Sequence, residues 1–215
     1  MAQVFPKWTN KIPLILALAG PLAAVASVGG VWYYGSPEYT DVGYRPEQPV
    51  PYSHALHVGD LGLDCRYCHS SVEQSPVAAI PPTKVCMNCH EAVQRDSEKL
   101  APIRESMASG RSMRWVRVHN LPDYAYFDHS VHLRAGVGCV SCHGQIDQME
   151  VVTQVEPLSM SWCLDCHRSP ASRLRPADEV TNMQWIRPRD HQEWAEQTIQ
   201  TLQIDPPTDC SGCHR

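Results

Sequence analysis

The chain has 215 residues, with 18 Lys and Arg against 23 Asp and Glu and a formal charge of −5 at neutral pH. Its basic residues form no long run, which excludes a nucleic-acid surface built on charge and implies no nucleic-acid partner. Two Phe, 18 Pro and few long apolar runs after residue 35 leave a stretch of about 180 residues, the size of one or two domains, short of side chains for an ordinary core.

In chain order, residues 1–11 carry Lys7 and Lys11 and no acid. An uncharged segment of 23 residues follows, from Ile12 to Tyr34, which as a helix spans roughly 34 Å and crosses a bilayer core. Trp32, Tyr33 and Tyr34 stand at its far end, where interfacial aromatics belong. Pro21 kinks such a helix, which membrane helices tolerate. Ala24-Val25-Ala26 after a basic start also fits a signal-peptide cleavage site. The apolar run exceeds a typical signal core, so a retained single-pass anchor in the cell membrane is expected. Its basic end stays inside and the rest of the chain faces the outer, periplasmic side. Residues 35–51, rich in Gly, Pro and Tyr, read as a tether.

All ten cysteines beyond this point fall in five C-x-x-C-H motifs: Cys65/Cys68/His69, Cys86/Cys89/His90, Cys139/Cys142/His143, Cys163/Cys166/His167 and Cys210/Cys213/His214. This pattern marks covalent attachment of haem c. Residues at i, i+3 and i+4 share one face of a helical turn, so two thiols reach the haem vinyl groups while the adjacent imidazole reaches the iron. Zinc sites pair their C-x-x-C units, and five units do not pair; neither zinc nor a disulfide framework explains the recurrent His. Five covalently bound haems are expected, and they supply the apolar interior that the side chains lack.

The motifs sit in an internal repeat. His54 and His57 precede the first motif by an H-x-x-H and seven residues, and the second motif follows after sixteen. His129 and His132 precede the third by an H-x-x-H and six residues, and the fourth follows after nineteen. The resulting map is 1–11 cytoplasmic, 12–34 anchor, 35–51 tether, 52–118 first dihaem module and linker, 119–167 second dihaem module, and 168–215 a terminal segment with the fifth haem. Residues 191–204 are expected to be helical, with Trp194, Ile199 and Leu202 on one side. The fold class expected is mostly α with extensive loops and little or no sheet.

Each motif fixes one axial ligand. Six other histidines, His54, His57, His119, His129, His132 and His191, are available for five opposite faces. Histidines three apart on a helix point the same way, so each H-x-x-H serves two different haems and holds them close. His119 is preferred over His191 for the fifth haem. Met160, three residues before Cys163, is a rival ligand to the fourth haem that would raise its potential, or a packing residue.

The H-x-x-H-then-C-x-x-C-H arrangement resembles the small multihaem cytochromes of the c7 and c3 families. That resemblance implies His54 for the haem of His69, His57 for that of His90, and His129 and His132 for those of His143 and His167. Residues 64–90, His119 to Tyr124, residues 158–168 and the closing Pro-Pro-Thr-Asp-Cys-Ser-Gly-Cys-His-Arg also resemble the pentahaem subunit of bacterial alternative complex III. The likeness implies a membrane-anchored electron relay without catalysis of its own. Its partners would be an iron–sulfur subunit, a monohaem cytochrome and polytopic membrane subunits that oxidise quinol, with a soluble cytochrome c, a copper protein or an oxidase as acceptor. The alternatives are a self-standing quinol dehydrogenase of the small tetrahaem type, or a multihaem nitrite or hydroxylamine enzyme, which needs an open iron face.

Overall fold

The computed structural model describes residues 4–214 and divides the chain into two compact units, one ending at Asp41 and the other beginning at Val42. In the first, a 3-10 turn over Lys7–Lys11 runs into helix α1, Ile12–Tyr34. A proline in the first turn is harmless, because its missing N–H has no carbonyl to meet there; Pro21 lies inside the helix. No residue of α1 is buried, and Leu14, Leu22 and Val31 are 63, 72 and 77% exposed. A helix this long and apolar on every face is built for a lipid solvent, as an anchor or as a signal sequence. Beyond it, the single turn α2, Pro37–Thr40, brings Tyr39 against Tyr33 and Tyr34, with ring centroids 5.8 and 4.8 Å apart.

The second unit holds α3 (Cys65–Cys68), α4 (Thr83–His90), α5 (Ala101–Ser109), α6 (His129–Arg134), α7 (Val140–His143), α8 (Met160–Arg168), α9 (His191–Leu202) and α10 (Cys210–Cys213). A single π-type turn spans Ala55–Asp60. No strand occurs among the described residues, only isolated bridges between Ala125 and His214 and between Val137 and Leu174. The sequence cuts the helices short. Asp64, Asp128, Ser159 and Asp209 cap N-termini through their side-chain oxygens, and Gly110, left-handed at φ +67°, ends α5. Helix α9 stops at Leu202, where Gln203 turns left-handed.

The apolar interior of this unit is small: Val50, Val72, Ile103, Leu133, Leu174, Val180, Met183 and Ala195 are buried, and Leu174 is the one large side chain fully enclosed among the described residues. Burial of so few residues does not offset the entropy of ordering a unit of this size, so something other than side chains must fill it. The segment after α8 braces the third motif. Leu174 pairs with Val137, the Arg175 N–H donates to the Gly136 carbonyl at 2.8 Å, and the Cys139 N–H donates to the Val180 carbonyl at 3.0 Å. Gly136 has φ +88°, and a Cβ there would strike the Arg175 carbonyl; both facts require glycine. The Arg175 guanidinium donates to the Asn182 carbonyl at 2.9 Å and lies 4.8 Å from the centre of the Trp185 ring.

Candidate functional site

Every C-x-x-C-H motif occupies a helical turn. The N–H of His69, His143 and His214 each donates to the carbonyl of the first cysteine of its own motif, at 2.9, 3.0 and 2.9 Å, and the other two motifs lie within α4 and α8. The two thiols and the imidazole therefore line one face, as the spacing predicts. None of the ten cysteines is in a disulfide. Burial pushes the Cys68, Cys86, Cys163 and Cys166 thiols up and Cys142 to about 12. A hydrogen bond between the Cys65 and Cys139 thiols lowers the first and raises the second.

The histidines share a second feature, one that spacing does not reveal. Nδ1 meets a backbone carbonyl at His57 (Ser53, 2.8 Å), His69 (Ala79, 2.7 Å), His90 (Val93, 2.9 Å) and His129 (Pro76, 2.7 Å). It does so again at His132 (Asp128, 2.7 Å), His167 (Pro207, 2.7 Å) and His214 (Tyr124, 3.2 Å). A carbonyl only accepts, so Nδ1 carries the proton and Nε2 keeps its lone pair free. Metal-binding imidazoles are oriented in this way, and the bond raises their basicity as ligands. His191 is wired the other way round: its Nε2 donates to the Leu174 carbonyl at 2.7 Å, and the ring is buried between Trp185 and Trp194. It is a packing histidine.

Ring separations supply the third feature. An iron held between two Nε2 atoms keeps the ring centres roughly 6 Å apart, from two metal–nitrogen bonds of about 2 Å and about 1 Å more to each centre. His57 and His90 stand at 6.2 Å, His132 and His167 at 6.1 Å, and His129 and His143 at 6.5 Å with rings 11° from parallel. Helix α6 thus sends His129 toward the third motif and His132 toward the fourth, while His57 faces the second. Tyr52 packs on both members of the first H-x-x-H, its ring 4.8 Å from His54 and 4.4 Å from His57.

His54 and His119 are placed differently. His119 lies edge-on to His143 at 4.3 Å, closer than two imidazoles sit with an iron between them, and the ring beside His214 is that of Tyr124, at 5.8 Å. Buried and without a hydrogen-bond partner are His54 Nδ1, His119 Nε2 and His143 Nδ1. Such atoms cost about 1–3 kcal/mol each when nothing meets them. Burial, then His69 and His57, lowers His54 to about 4. Burial, then the neighbouring histidines, lowers His143 to about 3, and burial followed by His129 lowers His119. All three stay neutral and able to donate a lone pair. Met160 opens α8 with two thirds of its surface exposed.

Paired thiols on helical turns, imidazoles tied to the backbone through Nδ1, iron-spanning ring separations and a small apolar interior all fit haem, and together they define a multihaem cytochrome c. A model of the family described as cytochrome c7 and related cytochrome c matches residues 50–105 and 125–215, well over half of the chain, and the chain belongs to that family. Covalently bound haem c is therefore its cofactor. The chain is also 34% identical over 120 residues to the menaquinone reductase, multiheme cytochrome c subunit, of Nitratidesulfovibrio vulgaris Hildenborough. That alignment covers 55% of this chain and 54% of the relative, so the chain spans about half the length of the curated protein it matches.

Proposed function

We propose that the chain carries five haems c and relays electrons between a quinone-linked membrane complex and a soluble acceptor, with no substrate chemistry of its own. The observation that carries this reading is the set of three imidazole pairs at iron-spanning distance, because an iron closed on both faces exchanges electrons but binds no substrate. Haem iron supplies one-electron chemistry when bound. The protein's contribution is to fix and orient the imidazoles by Nδ1 bonds to the backbone.

In this reading His69, His90, His143, His167 and His214 are the proximal ligands. His57, His129 and His132 lie opposite the second, third and fourth motifs. His54 serves the first and His119 the fifth, and on haem binding His119 leaves the side of His143, where it stands at 4.3 Å with Nε2 unpartnered. Helix α1 is the anchor, residues 35–51 the tether, 52–118 and 119–167 the dihaem modules, and the whole haem unit lies on the periplasmic side. The motif order and count support a place in a complex of the alternative complex III type, with electrons arriving from quinol through an iron–sulfur subunit and leaving to a cytochrome c, copper protein or oxidase. A second reading, in which electrons run toward the quinone pool, is favoured by the identity to a subunit named for menaquinone reduction.

The test uses the purified, haem-loaded chain. Once reduced, it passes electrons to a soluble cytochrome c, its spectrum is unchanged by carbon monoxide, and it does not turn over quinol until membrane partners are added. Stoichiometric carbon monoxide binding would restore the enzyme reading, and sustained quinol oxidation by the chain alone would make it a self-standing dehydrogenase.

A further inference from the structure

We infer that the five attachment motifs form a single row whose order in space is second, first, third, fourth, fifth, with the second and fifth at its ends. The inference rests on the reading that each motif carries a haem, and it concerns an order that differs from the order along the chain.

Each step of the row has its own bridge. Between the second and first motifs, Asn88 Nδ2 donates to the Tyr67 hydroxyl at 3.1 Å; each stands between the two cysteines of its own motif. Tyr52 stacks on His57, which faces the second motif, and lies edge-on to His54 of the same turn. The first and third motifs meet through consecutive residues of the bracing segment: the Thr181 hydroxyl donates to Asp64, the cap of the first motif, at 3.2 Å, and the Val180 carbonyl accepts from the Cys139 N–H. The Ala55 N–H also donates to the Met149 carbonyl at 3.0 Å, tying the first H-x-x-H to the stretch after the third motif. The third and fourth are joined by α6, whose two histidines face one motif each. Between the fourth and fifth stands Pro207, whose carbonyl accepts from His167 Nδ1 at 2.7 Å and whose ring a Cβ on Gly212 would strike.

Exposure marks the two ends. Of the ten motif cysteines, Cys89 of the second motif and Cys210 of the fifth are exposed, and the other eight are partly covered. The ends of the row are therefore where partners can approach. One electron delivered at one end, by a reduced partner that loses it, traverses the row and leaves at the other to an oxidised partner that gains it. The third motif, in the middle, has no direct exchange with either partner.

The test is proton NMR of the full-length, haem-loaded protein in detergent, fully reduced. Nuclear Overhauser peaks between haem substituents should join the second motif to the first, the first to the third, the third to the fourth and the fourth to the fifth. A soluble neutral gadolinium chelate should broaden the second and fifth sets of signals at least severalfold more than the third. Peaks joining the second motif to the third, with none between first and third, overturn the order; strongest broadening at the third overturns the ends. The denatured mass of the same sample counts the haems. A wrong order therefore shows as five haems otherwise connected, and a failed haem reading as missing mass.

Discussion

Replacing His57 and, in parallel, His191 by alanine separates two roles that one residue type plays in this protein. His57 offers a free Nε2 6.2 Å across from His90, whereas His191 uses its Nε2 on the Leu174 carbonyl. Beyond the proposed iron bond, His57→Ala removes one hydrogen bond, to Ser53, and one ring contact, to Tyr52, each about 1 kcal/mol. The total of about 2 kcal/mol leaves the protein folded. His191→Ala leaves a buried carbonyl unmet and a cavity between two tryptophans, about 3–5 kcal/mol together. The expected spectra run opposite to the expected stabilities. His57→Ala, the milder lesion, turns one haem per molecule high-spin in electron paramagnetic resonance, and added imidazole returns it to low-spin. His191→Ala, the more damaging one by denaturant titration, leaves every haem low-spin. A high-spin signal from His191→Ala, or none from His57→Ala at unchanged haem content, would refute the assignment of roles by ring nitrogen.

Gly136→Ala should destabilise the holoprotein by at least about 2 kcal/mol in thermal denaturation, since it combines a left-handed φ of +88° with a collision at the Arg175 carbonyl. Arg66 holds the Asp64 carboxylate down to about 2, so this pair adds stability above the ordinary carboxylate range that is lost as pH falls toward 2. After discounting for exposure the amount is about 1 kcal/mol, and Asp64→Asn should remove that part of the acid-induced loss in denaturant titrations at stepped pH. Deleting residues 1–34 behind a cleavable signal should release a soluble, haem-loaded protein, checked by fractionation and absorbance; material that remained in the membrane would show that a second element anchors it. Met160→Leu should leave all haem potentials unchanged in a redox titration, because two thirds of Met160 faces solvent.

Much of the architecture is legible in the sequence because its signals are local. C-x-x-C-H spacing fixes the relation of thiols and imidazole within one turn, and an uncharged run of 23 residues fixes α1. Helix α9 was legible from the side on which Trp194, Ile199 and Leu202 recur. What the sequence hides is set by distant backbone. The acceptor of His129 Nδ1 is Pro76, 53 residues away, and that of His167 is Pro207, 40 residues away; a carbonyl is the same on every residue and leaves no mark. The role of His191 also depends on which nitrogen meets Leu174, a matter of approach angle. His119, expected near the fifth haem, lies against His143 because the chain before α6 returns to the third motif, and no spacing rule encodes that return.

The thinness of the apolar interior bears on how the molecule comes into being. A chain with Leu174 as its one large, fully enclosed side chain among the described residues has little reason to collapse after synthesis. Without haem it should stay extended, with its cysteines accessible to the machinery that attaches the macrocycles. Its solidity is acquired in instalments, as each added macrocycle provides surface for the next segment to settle on. A molecule missing one haem should therefore keep one stretch of its backbone without a surface to settle on.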